Sequence, residues 1–222
     1  MNRVLVLAVH PDDETLGCGG TLLKHKFNKD EIHWLIVTDI KKSDGFNQSA
    51  IEKRKIEINK VKKAFNFDSV TNLGLSTAKL DEYSMSSLIE KISSVINKVK
   101  PNIIYLPFKS DIHTDHKVVF NAAYSCTKTF RYPFIRKIYM METLSETEFS
   151  LSTKDESFIP NMFVNISDFI NKKIEVMKFY EGELGDHPFP RSIKNIKAIA
   201  TFRGATAGCD YAESFVLIKE IK

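Results

Sequence analysis

Residues His10-Pro11-Asp12-Asp13-Glu14 put one imidazole and three carboxylates within a single turn of chain. A second cluster, Asp111-Ile112-His113-Thr114-Asp115-His116, spaces two histidines three residues apart around an aspartate. That spacing lets both rings point the same way from a loop or a first helical turn. Each cluster also has an ordinary explanation. Pro11 forces a turn and Asp12 or Asp13 is a good helix N-cap, while a single histidine near a helix start is commonly a cap or packing residue. A cap needs only one carboxylate, however, and two histidines around an aspartate suit a metal ligand beside an oriented acid–base group.

Catalytic zinc takes nitrogen and oxygen ligands from three side chains and keeps a fourth position for water. His10, Asp13 and His116 form such a set. Asp12 is then left beside the metal as a base for water whose pKa zinc lowers to about 7. His113 would stabilise an oxyanion or protonate a leaving amine, with Asp115 holding its tautomer and favouring the imidazolium. Acid, base and Lewis acid at one point describe hydrolysis of an unreactive bond such as an amide.

The two clusters lie roughly a hundred residues apart, so the fold must bring them together. Arg3–Val9 is a continuous Val/Leu-rich run, expected of a strand buried on both faces. Further strands are expected at Ile32–Thr38, Ser69–Leu73, Asn102–Leu106, Lys137–Met141, Phe163–Ile166 and Glu213–Lys219. Helices are expected over Thr15–Asn28, Ser49–Phe65, Ser84–Val99, His116–Thr129, Asp168–Glu183 and Ser192–Thr206, with a loop across Gly182–Pro190. Repeated β-then-α order predicts an α/β, Rossmann-like, doubly wound and mostly parallel sheet in one domain, residues 1–222. Residues 1–142 would form its core and 143–222 would complete the pocket. In the strand order 3-2-1-4-5 the first and fourth strands are neighbours, and their carboxyl ends flank the switch point where ligands bind. Both clusters fall at those ends.

Composition fits this picture. With 222 residues and 43% apolar content the chain can bury one core. Lys+Arg 32 against Asp+Glu 28 leaves a formal charge of +4, and the basic residues are scattered, so nucleic acid is not an expected partner. Cys18, Cys126 and Cys209 are widely separated. They point to reduced thiols and, with no signal-peptide core or apolar run of membrane-spanning length, to a cytoplasmic protein. Homo-oligomerisation stays open. Gly17, Gly19 and Gly20 lack the register of a dinucleotide fingerprint and read as close packing of the first helix on the sheet.

At these residues the chain resembles the PIG-L/LmbE-like deacetylases, through AVHPDDETLGCGG (Ala8–Gly20) and HTDH (His113–His116). FVNISDFINKKIEVMKFY and RGATAGCDYAESF look like softer family segments. The resemblance implies removal of an N-acetyl group from N-acetylglucosamine-type sugars or conjugates with a divalent metal, usually Zn2+. By matched position His10, Asp13 and His116 would be ligands, Asp12 the base and His113 the electrostatic or acid group. Arg54 resembles an arginine that reaches the substrate pocket, the alternative being an exposed pair with Glu57. Asp39 and His187 are further substrate-binding candidates, the first beside the crevice and the second in the Gly/Pro-rich loop. Glu181-Gly182-Glu183 stands where many relatives carry a Ser-Gln pair. Two rival readings are a metal-dependent phosphoesterase, which commonly needs two metals, and a non-catalytic sugar-binding module, which needs no free base.

Overall fold

The computed structural model describes all 222 residues. Seven strands form one sheet: β1 (Arg3–Ala8), β2 (Glu31–Asp39), β3 (Ser69–Ser76), β4 (Ile103–Leu106), β5 (Lys137–Met141), β6 (Met162–Asn165) and β7 (Ala212–Glu220). Six α-helices accompany them: α1 (Asp13–Phe27), α2 (Gln48–Phe65), α3 (Met85–Val99), α4 (Thr114–Ser125), α5 (Ile170–Met177) and α6 (Ile193–Ala207). The strand order is β3-β2-β1-β4-β5-β7-β6. Pairs from β3 through β5 are parallel, while β7 runs antiparallel to both β5 and β6. The expected 3-2-1-4-5 order is therefore present, extended by an antiparallel edge.

Alternation along β1 splits the core into two layers. Val4, Val6 and Ala8 face the cluster that includes Leu22 of α1 and Val61 and Phe65 of α2. Leu5, Leu7 and Val9 face Leu88 and Ile92 of α3 and Val119 and Ala123 of α4. All six β1 and post-β1 side chains have no exposed surface, and each buried aliphatic stabilises the fold by about 1.5–3 kcal/mol. Strand β1 is thus fixed from both faces, and so is the chain leaving it at His10.

Three departures from the sequence reading have local causes. Helix α1 starts at Asp13 and breaks at Cys18, whose φ/ψ of −149°/22° is not helical. The break frees the amides of Gly20 and Thr21, and both donate to the Glu213 carboxylate at 2.8 and 2.7 Å. Helix α5 ends at Met177 rather than running to Glu183, because Tyr180 turns inward and is fully buried. Helix α4 begins at Thr114, with His113 as its N-cap. The glycines of α1 do pack closely: a Cβ on Gly20 would stand 2.7 Å from Ile166 Cγ2. No helix is long and apolar enough to cross a membrane.

Candidate metal centre and active site

The carboxyl ends of β1 and β4 are adjacent, since the two strands pair from Val4↔Ile103 to Val6↔Tyr105. The loops that follow bring His10, His113 and His116 together, with ring centroids 4.6 Å apart for His10–His113 and 5.3 Å for His10–His116. Two overlapping sets have ligand atoms within 4.8 Å of one another: His10, Asp13 and His116, and His10, His113 and Asp115.

Hydrogen bonding separates the two sets. In the second, the Asp115 oxygens accept from the amides of Ala78 (2.7 Å) and Leu80 (3.1 Å), and His113 Nδ1 accepts from the Asp115 amide. Both Asp115 oxygens and His113 Nδ1 are thus engaged, whereas in the first set only one Asp13 oxygen is, by the His10 amide at 2.8 Å. In the first set, Asp111 Oδ2 takes His116 Nδ1 at 2.8 Å, and Thr147 donates to the other Asp111 oxygen. His116 is fully buried, yet its Nε2 has no hydrogen-bond partner and sits 3.4 Å from Asp13 Oδ2. A buried orphan nitrogen beside a carboxylate and a second imidazole is what a divalent cation requires, and two nitrogens with one oxygen suit zinc. Burial pulls the His116 pKa down, but Asp13 and Asp111 outweigh it and lift the ring to about 9. The surrounding carboxylates thus call for a positive charge at this nitrogen.

Asp12 lies beside this set at the N-cap position of α1, yet its side chain makes no capping bond. The simple capping explanation of this aspartate therefore does not hold. Its φ of 144° is one that L residues rarely adopt, and such a residue costs on the order of 1–3 kcal/mol. Burial pushes the Asp12 carboxyl well above the usual range, Asp13 and Glu183 add to this, and Arg191 opposes it. Glu14 is fully buried and takes hydrogen bonds from Tyr180, Thr15 and the Asp12 amide. Burial lifts its pKa to about 7.

The expected role of Asp115 needs correction. Its carboxylate lies 3.3 Å from His10 Nε2 and does not touch His113. The cap bond on α4 consumes His113 Nδ1 instead, leaving a neutral ring to carry its proton on Nε2. Burial, then the charge of His10, lowers the His113 pKa below 6.5, so the imidazolium is not the favoured form. His187 is also misplaced: it is exposed and lines a separate depression with Asp186 and Lys194. The 181–191 loop instead turns Glu183 and Arg191 toward the metal cluster.

The cavity over the cluster measures about 280 Å³ and includes Asp12, Asp39, Arg54, His113, Glu146, Glu183 and Arg191 among its lining. Arg54 does reach the cavity, and its pair with Glu57 is largely buried rather than exposed. That pair spans 3.3 Å, and Arg54 also donates to Glu183 at 2.7 Å and to the Pro11 carbonyl at 2.9 Å. Arg191 bonds the other Glu183 oxygen and Ser145. Asp39 is held by the Ile40 amide and Asn72. Arg191, Arg203 and Glu213 fall in family-like segments that could touch substrate, with no role assigned from sequence, and of these Arg191 lines the cavity. Asp111, Glu146 and Glu183 were not singled out as site residues. Only Asp111 carried a visible signal, its place in the second cluster. Arg203 and Glu213 are structural: Arg203 pairs with Glu142, and Glu213 holds buried Lys173 at 2.7 Å.

A switch-point crevice in which two histidines and an aspartate meet beside a further carboxylate defines the class as an α/β protein with a candidate metal centre. The PIG-L family, described as GlcNAc-PI de-N-acetylase, matches residues 5–127, more than half of the chain, and the chain belongs to that family of deacetylases. It is 24% identical over 235 residues to the diacetylchitobiose deacetylase of Thermococcus kodakarensis, covering 100% of this chain and 85% of that protein. Its fold is similar to the conserved protein TT1542 of Thermus thermophilus, with TM-score 0.79, 24% identity and coverage of 100% and 97% of the two chains. It is also similar to the 4-carboxy-2-hydroxymuconate hydratase of Pseudomonas putida KT2440, with TM-score 0.77, 14% identity and coverage of 100% and 98%. The same architecture thus hosts more than one reaction, and the reaction must be argued from the site.

Proposed function

We propose that this chain is a metal-dependent amide hydrolase that removes the N-acetyl group from an N-acetylglucosamine-type sugar or conjugate. The observation that carries the reading is the orphaned Nε2 of buried His116, facing Asp13 and His10 next to the uncommitted carboxylate of Asp12. His10, Asp13 and His116 would hold the ion, Zn2+ by donor type. When bound, the ion supplies Lewis acidity, lowering the pKa of water and polarising an acyl oxygen. Asp12 takes a proton from the water that attacks the acyl carbon. His113 donates from Nε2 to the carbonyl oxygen as charge gathers there, which its neutral tautomer allows. The carbon–nitrogen bond then breaks, Asp12 returns its proton to the departing amine, and acetate and a free amino sugar result. Burial raises the Asp12 pKa, which suits a group that must both take and give a proton. Arg54 and Asp39 are the substrate-binding candidates that line the cavity. The amino-sugar class rests on the family and on the diacetylchitobiose deacetylase it is similar to. A cytoplasmic setting is proposed from the three free cysteines.

The test is to strip the protein with a chelator, reload it with zinc, and offer a panel of 2-acetamido sugars and their glycosides. Acetate and amine should appear in equal amounts, only in the reloaded protein. Hydrolysis of a phosphate ester with no amine release from any sugar would hand the site to the phosphoesterase reading. Binding of the sugars with no turnover at all would make the chain a sugar-binding module.

A further inference from the structure

The peptide plane between Pro11 and Asp12 is gripped at both ends. Its carbonyl accepts from Arg54 Nη1 at 2.9 Å, and its N–H donates to Glu14 Oε2 at 3.2 Å. On the far side of Asp12, the carbonyl accepts the amides of Thr15 and Leu16, both at 2.9 Å. Turning the Pro11–Asp12 plane is the motion that would relax the φ of 144° at Asp12, and a residue in such a conformation persists only where its surroundings over-determine it. Glu14 is itself pinned. Its other oxygen accepts from Thr15 Oγ1 at 2.5 Å and from the Tyr180 hydroxyl at 2.9 Å, and both Glu14 and Tyr180 have no exposed surface. Tyr180 follows α5, so the C-terminal part of the chain reaches through Glu14 to the backbone of Asp12. A capping contact needs none of this, since the Asp12 side chain is not engaged as a cap.

We propose that Glu14, braced by Tyr180, is a positioning residue that locks the Pro11–Asp12 peptide so that the Asp12 carboxylate is presented to the substrate cavity. The inference rests on the reading of Asp12 as the base. Glu14 does not touch substrate; it acts through the orientation of its neighbour. A side chain displaced by about 1 Å at a reacting centre costs on the order of 10²-fold in rate.

The experiment is a double-mutant cycle on the zinc-loaded protein. Glu14→Ala should lower kcat on the order of 10²-fold with KM and zinc content unchanged, and the Asp12 amide should exchange its hydrogen faster than in the wild type. Glu14→Gln keeps an acceptor for the Asp12 amide and should recover most of the rate. In an Asp12→Asn background Glu14→Ala should add no further loss, because residues acting as a unit are non-additive. If Glu14→Ala does not fold, Tyr180→Phe serves instead. It removes one hydroxyl, should cost several-fold in kcat, and should also add nothing to Asp12→Asn. Losses that multiply in the cycle overturn the proposal, as does Glu14→Ala at wild-type rate while Asp12→Asn is dead. Asp12→Asn at wild-type rate would instead remove the base reading itself.

Discussion

His116 can offer Nε2 to a cation because Asp111 occupies its Nδ1, and Asp111 is in turn held by Thr147. Such outer partners fix the tautomer and raise ligand basicity. With its pKa near 9, the metal-free ring holds a proton at neutral pH that a metal must expel. Zinc affinity should therefore climb as pH rises toward 9, by up to about tenfold per unit for one proton. A chelator-competition titration between pH 6.5 and 8.5 reads this directly, and a flat profile would contradict it. In the metal-free chain the same raised pKa contributes stability that is fully present below the ordinary histidine value and lost as pH passes through about 9. Ligand and base should also separate by mutation. His116→Ala or Asp13→Ala should lose most bound zinc, whereas Asp12→Asn should keep it and lose roughly 10²–10⁴-fold in rate. Metal analysis beside kcat decides, and equal loss of zinc and rate in Asp12→Asn would make Asp12 a ligand. The residue types and their spacing were readable from sequence; the partner of His113 was not. Asp115 is two residues away in sequence, but the cap geometry of α4 turns its carboxylate toward His10 and the amides of Ala78 and Leu80.

The 181–191 loop brings one carboxylate and one guanidinium to the cavity with opposite effects on Asp12. Burial is the main cause of the raised Asp12 pKa, but Glu183 adds to it and Arg191 opposes it. Arg191→Ala should move the acidic limb of the kcat/KM profile to higher pH, and Glu183→Gln should move it to lower pH. Shifts of the same sign in both variants would show that loop displacement, not charge, is at work. Helix α1 offers a second test, of folding. Glu213 caps the amides freed at the Cys18 break and pairs with Lys173, whose side chain is 6% exposed. Glu213→Ala leaves that charge buried and unpaired, at a cost of about 3–5 kcal/mol, measurable by urea denaturation. Neither the break nor the early end of α5 was legible, because both are set by distant partners: Glu213 for one, and Glu14 receiving Tyr180 for the other. Helices fixed by their own amphipathic face, such as α2 and α3, were read to within a residue or two.

For the molecule as a whole, the β–α alternation sufficed to foresee the parallel half of the sheet and the meeting of the two clusters at the switch point. The antiparallel edge was not foreseen, since β6 and β7 are joined through two helices that carry no pairing signal. Metal binding should also be visible globally. Zinc at about a hundred times its Kd stabilises a fold by about 2.7 kcal/mol, so the melting temperature should rise with added zinc and stay flat in His116→Ala. A rise of equal size in that variant would place the ion elsewhere. The order of the strands also governs when the molecule can come into being. Strand β7 fills the place between β5 and β6, so β6 has no neighbour until Ala212–Glu220 arrives, and the cap on the metal-motif helix arrives with it at Glu213. Synthesis delivers residues from the amino end first. A nascent chain halted before Ala212 therefore carries every proposed ligand but lacks the strand and the carboxylate that set their frame, and protease should cut it readily until the last strand has left the ribosome.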